Sequence, residues 1–138
     1  MHFSFCPVTL KNMRPGMDLQ LCWRRGHLKG SCGKATTSSI GSANFEGTVE
    51  LDCEMKKISQ RQDLWQSKVL HLELLDCRKK GLFSKPKRVA KGAVQLAYFT
   101  RANNRVVLVE FVRMVQKSPV FLDGLVPTLS ANITAQFM

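Results

Sequence analysis

Apolar residues recur at every second position through most of this chain, the spacing of half-buried β-strands rather than of helices. Met17, Leu19, Leu21 and Trp23 share one face, with Asp18, Gln20, Cys22 and Arg24 on the other. Val49, Leu51, Cys53 and Met55 alternate with Thr48, Glu50, Asp52 and Glu54. A strand can bury the first set and wet the second, whereas a helix would spread those acids around its circumference. The pattern returns at Leu70, Leu72 and Leu74, at Val94, Leu96 and Tyr98, at Val107, Val109 and Phe111, and at Ala131, Ile133, Ala135 and Phe137. Residues 2–11 form a weaker strand interrupted by Pro7, which predicts an edge position because proline cannot donate to a ladder. A short strand rich in Thr and Ser is expected over 34–40, and a polar connection with a helical turn over 58–67.

Turn-forming residues separate these runs, among them Arg14-Pro15-Gly16, Gly26 to Gly33, Ile40-Gly41-Ser42, Lys80-Gly81, Ala102-Asn103-Asn104 and Asp123-Gly124. About eight short strands punctuated in this way predict an all-β, antiparallel, eight-stranded β-sandwich. Its core should contain Leu21, Trp23, Leu51, Cys53, Leu72, Leu96, Val109 and Ile133. Residues 116–128 should form a loop packed by Phe121 and Leu122. The chain shows no internal repeat, and its 138 residues suit one domain over 1–138.

Charge changes the picture more than overall hydrophobicity does. Twenty-one Lys and Arg against ten Asp and Glu leave a net charge of +11. Such a surplus attracts anionic partners at long range: a phospholipid surface, nucleic acid, or an acidic protein. Only 8% of the residues are aromatic, too few for an extended base-stacking surface, and no recognition-helix, zinc-finger or RNA-binding signature is present. Nucleic acid is therefore the weaker expectation. The five cysteines, Cys6, Cys22, Cys32, Cys53 and Cys77, form no Cys-x-x-Cys pair, so a zinc site is not expected. The first residues lack the basic start and apolar run of a signal peptide. A reduced, cytoplasmic protein, peripheral to membrane or cytoskeleton, is the expectation.

Several segments resemble the NT-type C2 domain family of endocytic and actin-linked adaptors. Leu21-Cys22-Trp23-Arg24-Arg25 followed by Gly33-Lys34-Ala35-Thr36-Thr37 is similar to that family's second and third strands. Residues Ala43 to Met55 resemble its fourth strand, with Phe45 where the family usually has Trp. Val69 to Leu74 resemble its fifth, and Val94 to Phe99 a later one, with Tyr98 in place of the usual acid. The resemblance implies a C2-type sandwich that binds rather than catalyses, acting as an adaptor or scaffold.

The chemistry of the loops narrows this expectation. Calcium-dependent C2 domains cluster carboxylates at one end, because a hard cation needs several oxygens. Here the first corresponding loop, Lys11 to Gly16, is basic. The second, Asp76 to Arg88, holds one acid and then six cations. No metal and no cofactor are expected. Arg78, Lys79, Lys80, Lys85, Lys87 and Arg88 instead flank an apolar tip, Leu82-Phe83, as a partner-binding loop for an anionic phospholipid membrane or an acidic protein surface. Phosphate cradling at Gly30 to Ala35 is excluded, because Leu28 and Ala35 stand where a P-loop needs Gly and Ser or Thr. No nucleophile stands with a base and an orienting group, so an enzyme is not expected. The alternative is a fixed structural subunit of a cytoskeletal (axonemal or microtubule-type) or ribonucleoprotein assembly.

Overall fold

The computed structural model describes residues 1–59, 64–78, 85–115 and 118–137. Among them lie thirteen strand segments: β1 His2–Lys11, β2 Asp18–Arg25, β3 Leu28–Ser31, β4 Ala35–Thr36, β5 Ala43–Phe45, β6 Val49–Asp52, β7 Lys57–Ser59, β8 Leu64–Trp65, β9 Val69–Asp76, β10 Lys87–Gln95, β11 Arg105–Glu110, β12 Val112–Arg113 and β13 Thr128–Gln136. One 3-10 turn, Leu96–Phe99, follows β10. The first sheet runs β11-β13-β1, and both β5 and β6 pair with the far side of β1. The second runs β12-β10-β9-β2, with β3 and β4 both on β2. All pairings are antiparallel.

The two sheets bury their inner faces against each other as a β-sandwich. Phe3, Phe5, Val8, Leu10, Val107, Val109 and Ile133 from the first meet Leu19, Leu21, Leu70, Leu72, Leu74 and Val94 from the second in one apolar cluster. Each buried side chain of this size contributes on the order of 2 kcal/mol relative to exposure. The sheets approach closely at Gly92, where a Cβ would come within 2.7 Å of the Val109 side chain. Of the eight predicted core residues, seven are buried. Trp23 is only half-buried: it lies near the β2–β3 hairpin end, with its indole over Gly30, where a Cβ would come within 2.7 Å of the ring.

Three local expectations are corrected. Residues 2–11 form an interior strand, not an edge. β1 pairs β13 on one side, and β6 and then β5 on the other. Pro7 falls in the gap between the Phe5 and Val8 pairings on both sides, so its missing amide hydrogen breaks no ladder bond. In the connection over 58–67, Lys57–Ser59 and Leu64–Trp65 pair as β7 and β8, and residues 60–63 between them lie outside the described residues. The strand expected over 34–40 shrinks to β4. Lastly, Tyr98 is exposed although Leu96 is buried. The Gln95 side chain accepts from the Lys68 and Ala97 amides, ends β10, and turns the chain into a three-residue period that carries Tyr98 off the buried face. Phe137 is likewise exposed, one residue past β13, with its ring centroid 6.3 Å from that of Trp65.

Candidate functional site

The connection from β9 to β10 leaves the sandwich at the same end as the connections β1–β2, β4–β5 and β12–β13. Backbone bonds tie these connections together. The Cys77 amide donates to the Asp18 carbonyl at 2.9 Å, Met13 to Gly41 at 3.1 Å, and Arg14 to Val120 at 3.0 Å. Buried Thr37 is the central fastener: its hydroxyl donates to the Arg14 carbonyl at 2.6 Å and accepts from the Met17 amide at 2.8 Å. Met13 and Phe121, both buried, form a bridge beneath them. This end is therefore a packed platform, with loops anchored into the core rather than standing free.

The predicted cations divide into two kinds. Arg78 is engaged: its Nε and Nη2 donate to the two carboxylate oxygens of buried Asp76 at 2.9 and 2.7 Å, and its own amide donates to the first of them at 3.1 Å. This two-toothed contact raises Arg78 above the ordinary arginine value. Arg88 is engaged too, with its Nε 3.0 Å from Glu73 on the outer face of the second sheet. It lines a shallow cleft of about 450 Å³ with Arg24, Lys29, Ser31 and His71. Lys85 and Lys87, by contrast, are exposed and meet no carboxylate among the described residues. Lys79, Lys80, Leu82 and Phe83 lie outside the described residues.

The fold adds residues that loop composition does not group. Lys11, Arg14 and Lys34 are exposed at this same end, and Lys34 lies close enough to Cys77 to oppose the upward push of burial on its thiol. Exposed Ile40, Leu125 and Val126 join them; the Asn12 side chain holds the Val126 carbonyl at 2.9 Å. These positions lie at the end of β1 and on four separate connections, so spacing along the chain carries no sign of their meeting. Two carboxylates at this end already have donors: Asp76 takes Arg78, and Asp18 accepts the Thr36 hydroxyl at 2.6 Å. Among the described residues no group of three His, Cys, Asp or Glu side chains is placed to hold a metal.

Three of the five thiols are tuned away from reactivity. Burial pushes Cys22 upward, and the Glu73 charge adds to the push; burial also raises Cys32 and Cys77. A nucleophilic cysteine needs the opposite, an environment that favours thiolate. Among the described residues no helix is long and apolar enough to cross a membrane. No protein-family model matches the chain, and no curated protein was found to be similar to it.

Proposed function

We propose that the chain is a non-catalytic, calcium-independent binding module of C2 type, which docks its basic end on an anionic phospholipid surface as an adaptor. The carrying observation is the grouping of Lys11, Arg14, Lys34, Lys85 and Lys87 around exposed Ile40, Leu125 and Val126 at one end of the sandwich. Each cation held near an anionic bilayer is worth about 1 kcal/mol, and apolar side chains that enter the interface add area-dependent affinity. The C2-type reading draws support from the strand paths. Taking β3 with β4, β5 with β6, and β11 with β12 as continuous paths leaves eight in the two large sheets, with β11–β12 crossing from the first sheet to the second. Calcium independence is supported by the Arg78 guanidinium, which already occupies the Asp76 carboxylate that a bound cation would need.

Co-sedimentation with phosphatidylserine vesicles tests the reading. Wild type should pellet, less so as salt rises, and Lys85→Glu with Lys87→Glu should lower the bound fraction about tenfold or more, as reversal of two cations implies. Ile40→Ser should weaken binding less. Equal binding by wild type and the double reversal, or binding only on addition of calcium, would sink the proposal. Retention by an acidic cytoskeletal fraction together with no retention by vesicles would replace lipid with protein as the partner.

A further inference from the structure

The strand β11 closes one side of the first sheet. Its outer edge is the one that pairs β10 two residues further on, at Val112 and Arg113, and among the described residues it is unpaired from Arg105 to Glu110. Phe111 donates to the Pro127 carbonyl at 2.9 Å, continuing the register in which Glu110 faces Thr128. In an antiparallel ladder the bonded residues alternate. Val109, Val107 and Arg105 therefore also direct their amides and carbonyls toward β13, and those of Val106, Leu108 and Glu110 point outward. Among the described residues no hydrogen bond covers these outward groups. Val106 and Leu108 are also 62% and 67% exposed on the outer face.

Sheet edges are ordinarily blunted by charges, proline, bulges or brevity. The other edges here follow that rule. The β5–β6 edge is broken at Glu46 to Thr48 and carries Glu50 and Asp52. The β3–β4 edge is broken at Cys32 to Lys34 and carries Lys29, and β12 is two residues long. In contrast, β11 runs six residues in unshifted register, Arg-Val-Val-Leu-Val-Glu, with no lysine or proline.

We infer that β11 pairs antiparallel with β11 of a second copy of this chain, joining the two first sheets into one. The strand is complementary to itself. Antiparallel pairing keeps the two Arg105 side chains apart and the two Glu110 side chains apart, whereas parallel pairing would set like charges side by side. Centring the two-fold axis on Leu108 keeps both pleats in phase, sets Leu108 against Leu108 of the second copy, and sets Val106 against Glu110. All three outward-facing residues of each strand then lie in bonded pairs, which exchange both of their hydrogen bonds. Such a contact is closed, so it stops at two chains. It also points the two basic ends in opposite directions. This last consequence rests on the membrane reading of the basic end: a dimer would bridge two anionic surfaces instead of gripping one twice.

Sedimentation velocity without lipid, over rising protein concentration, tests the pairing. Two chains of +11 repel one another, so dimer should increase with salt, opposite to the salt response of docking on an anionic surface. Leu108→Lys should abolish the dimer; the side chain is solvent-exposed, so the fold should survive. Hydrogen exchange gives a second readout: the Val106, Leu108 and Glu110 amides should slow with concentration, while those of Val107 and Val109 are protected throughout. A chain that stays monomeric at high salt and high concentration, a dimer that persists in Leu108→Lys, or concentration-independent exchange at those three amides would overturn the inference. Wild type should also cluster phosphatidylserine vesicles while Leu108→Lys binds them singly. If neither protein binds vesicles, the reading of the basic end fails, and the lipid-free dimer measurement still decides the pairing.

Discussion

The two ends of the sandwich differ in how their acids are placed. At the end holding the β9–β10 connection, Lys11, Arg14, Lys34, Lys85 and Lys87 are exposed over loops fastened to buried Thr37 and Met13. At the other end acids have side-chain neighbours: the His2 ring lies 2.6 Å from Asp52 and 3.8 Å from Glu50, and Lys56 approaches Glu54 at 3.9 Å. One end is a rigid base under cations that meet no carboxylate among the described residues. The other pairs some of its charges locally, although exposed Arg24, Lys57 and Arg105 lie there and meet no carboxylate among the described residues. The contrast shows that cation density in a sequence is not cation availability. Arg78 and Arg88, which look like the flanks of one basic loop, are both engaged by acids, whereas Lys85 and Lys87 meet no carboxylate among the described residues.

The largest effect should come from breaking the platform. Gly41 is buried with φ at +75°, and a Cβ there would collide with the Met13 carbonyl. Gly41→Ala is expected to cost on the order of 4 kcal/mol, combining left-handed strain with a backbone clash. Thermal unfolding would show it as a large fall in Tm. An unchanged Tm would mean that the basic end is not anchored as described.

Next in size is the division between engaged and free cations. Arg78→Ala removes the two-toothed guanidinium contact with buried Asp76 and should destabilise the fold by about 2 kcal/mol. Lys87→Ala should change stability by no more than about 0.5 kcal/mol, because that side chain holds nothing in place. Urea denaturation of the two variants separates the roles. Similar losses for both would erase the distinction between a structural arginine and a docking lysine.

The smallest effect concerns pH. Burial raises Cys22, Cys32 and Cys77 above the ordinary thiol value of 9.0. Below that value native and unfolded chains both keep these protons, so no stability is lost. As pH climbs past it, the unfolded chain ionises first and gains free energy, and the native state loses ground until its own thiols titrate. A modest decline in Tm above about pH 9 is expected, shallower in Cys32→Ala. An identical alkaline slope in that variant would show that Cys32 takes no part.

Period-two patterning was enough to expose the strands, the antiparallel class and most of the core, because a strand with one wet face must alternate. Leu21, Leu72, Val109 and Ile133 are buried for that reason. The same rule failed where side chains or register redirect the backbone. Gln95 stops β10 before Tyr98, and Pro7 hides in the gap between two pairings of a central strand. Neither event leaves a periodic trace. The candidate site was half legible: a run of cations between Asp76 and Arg88 is visible in the residues, but ion pairing is not.

By itself, then, the sequence determined the alternation that sorts residues between core and surface, and the surplus of positive charge. Both are properties of neighbouring residues or of totals, and no fold is needed to read them. Tertiary structure alone decided which charges remain free and which edge remains open. Asp76 and Arg78 are only two residues apart, but the carboxylate that takes the guanidinium is buried at the end of β9, which is held beside β2. Likewise Val106, Leu108 and Glu110 face outward only because β13 takes the other side of β11. Contacts between distant segments are set by strand order, and strand order is a property of the whole packed chain.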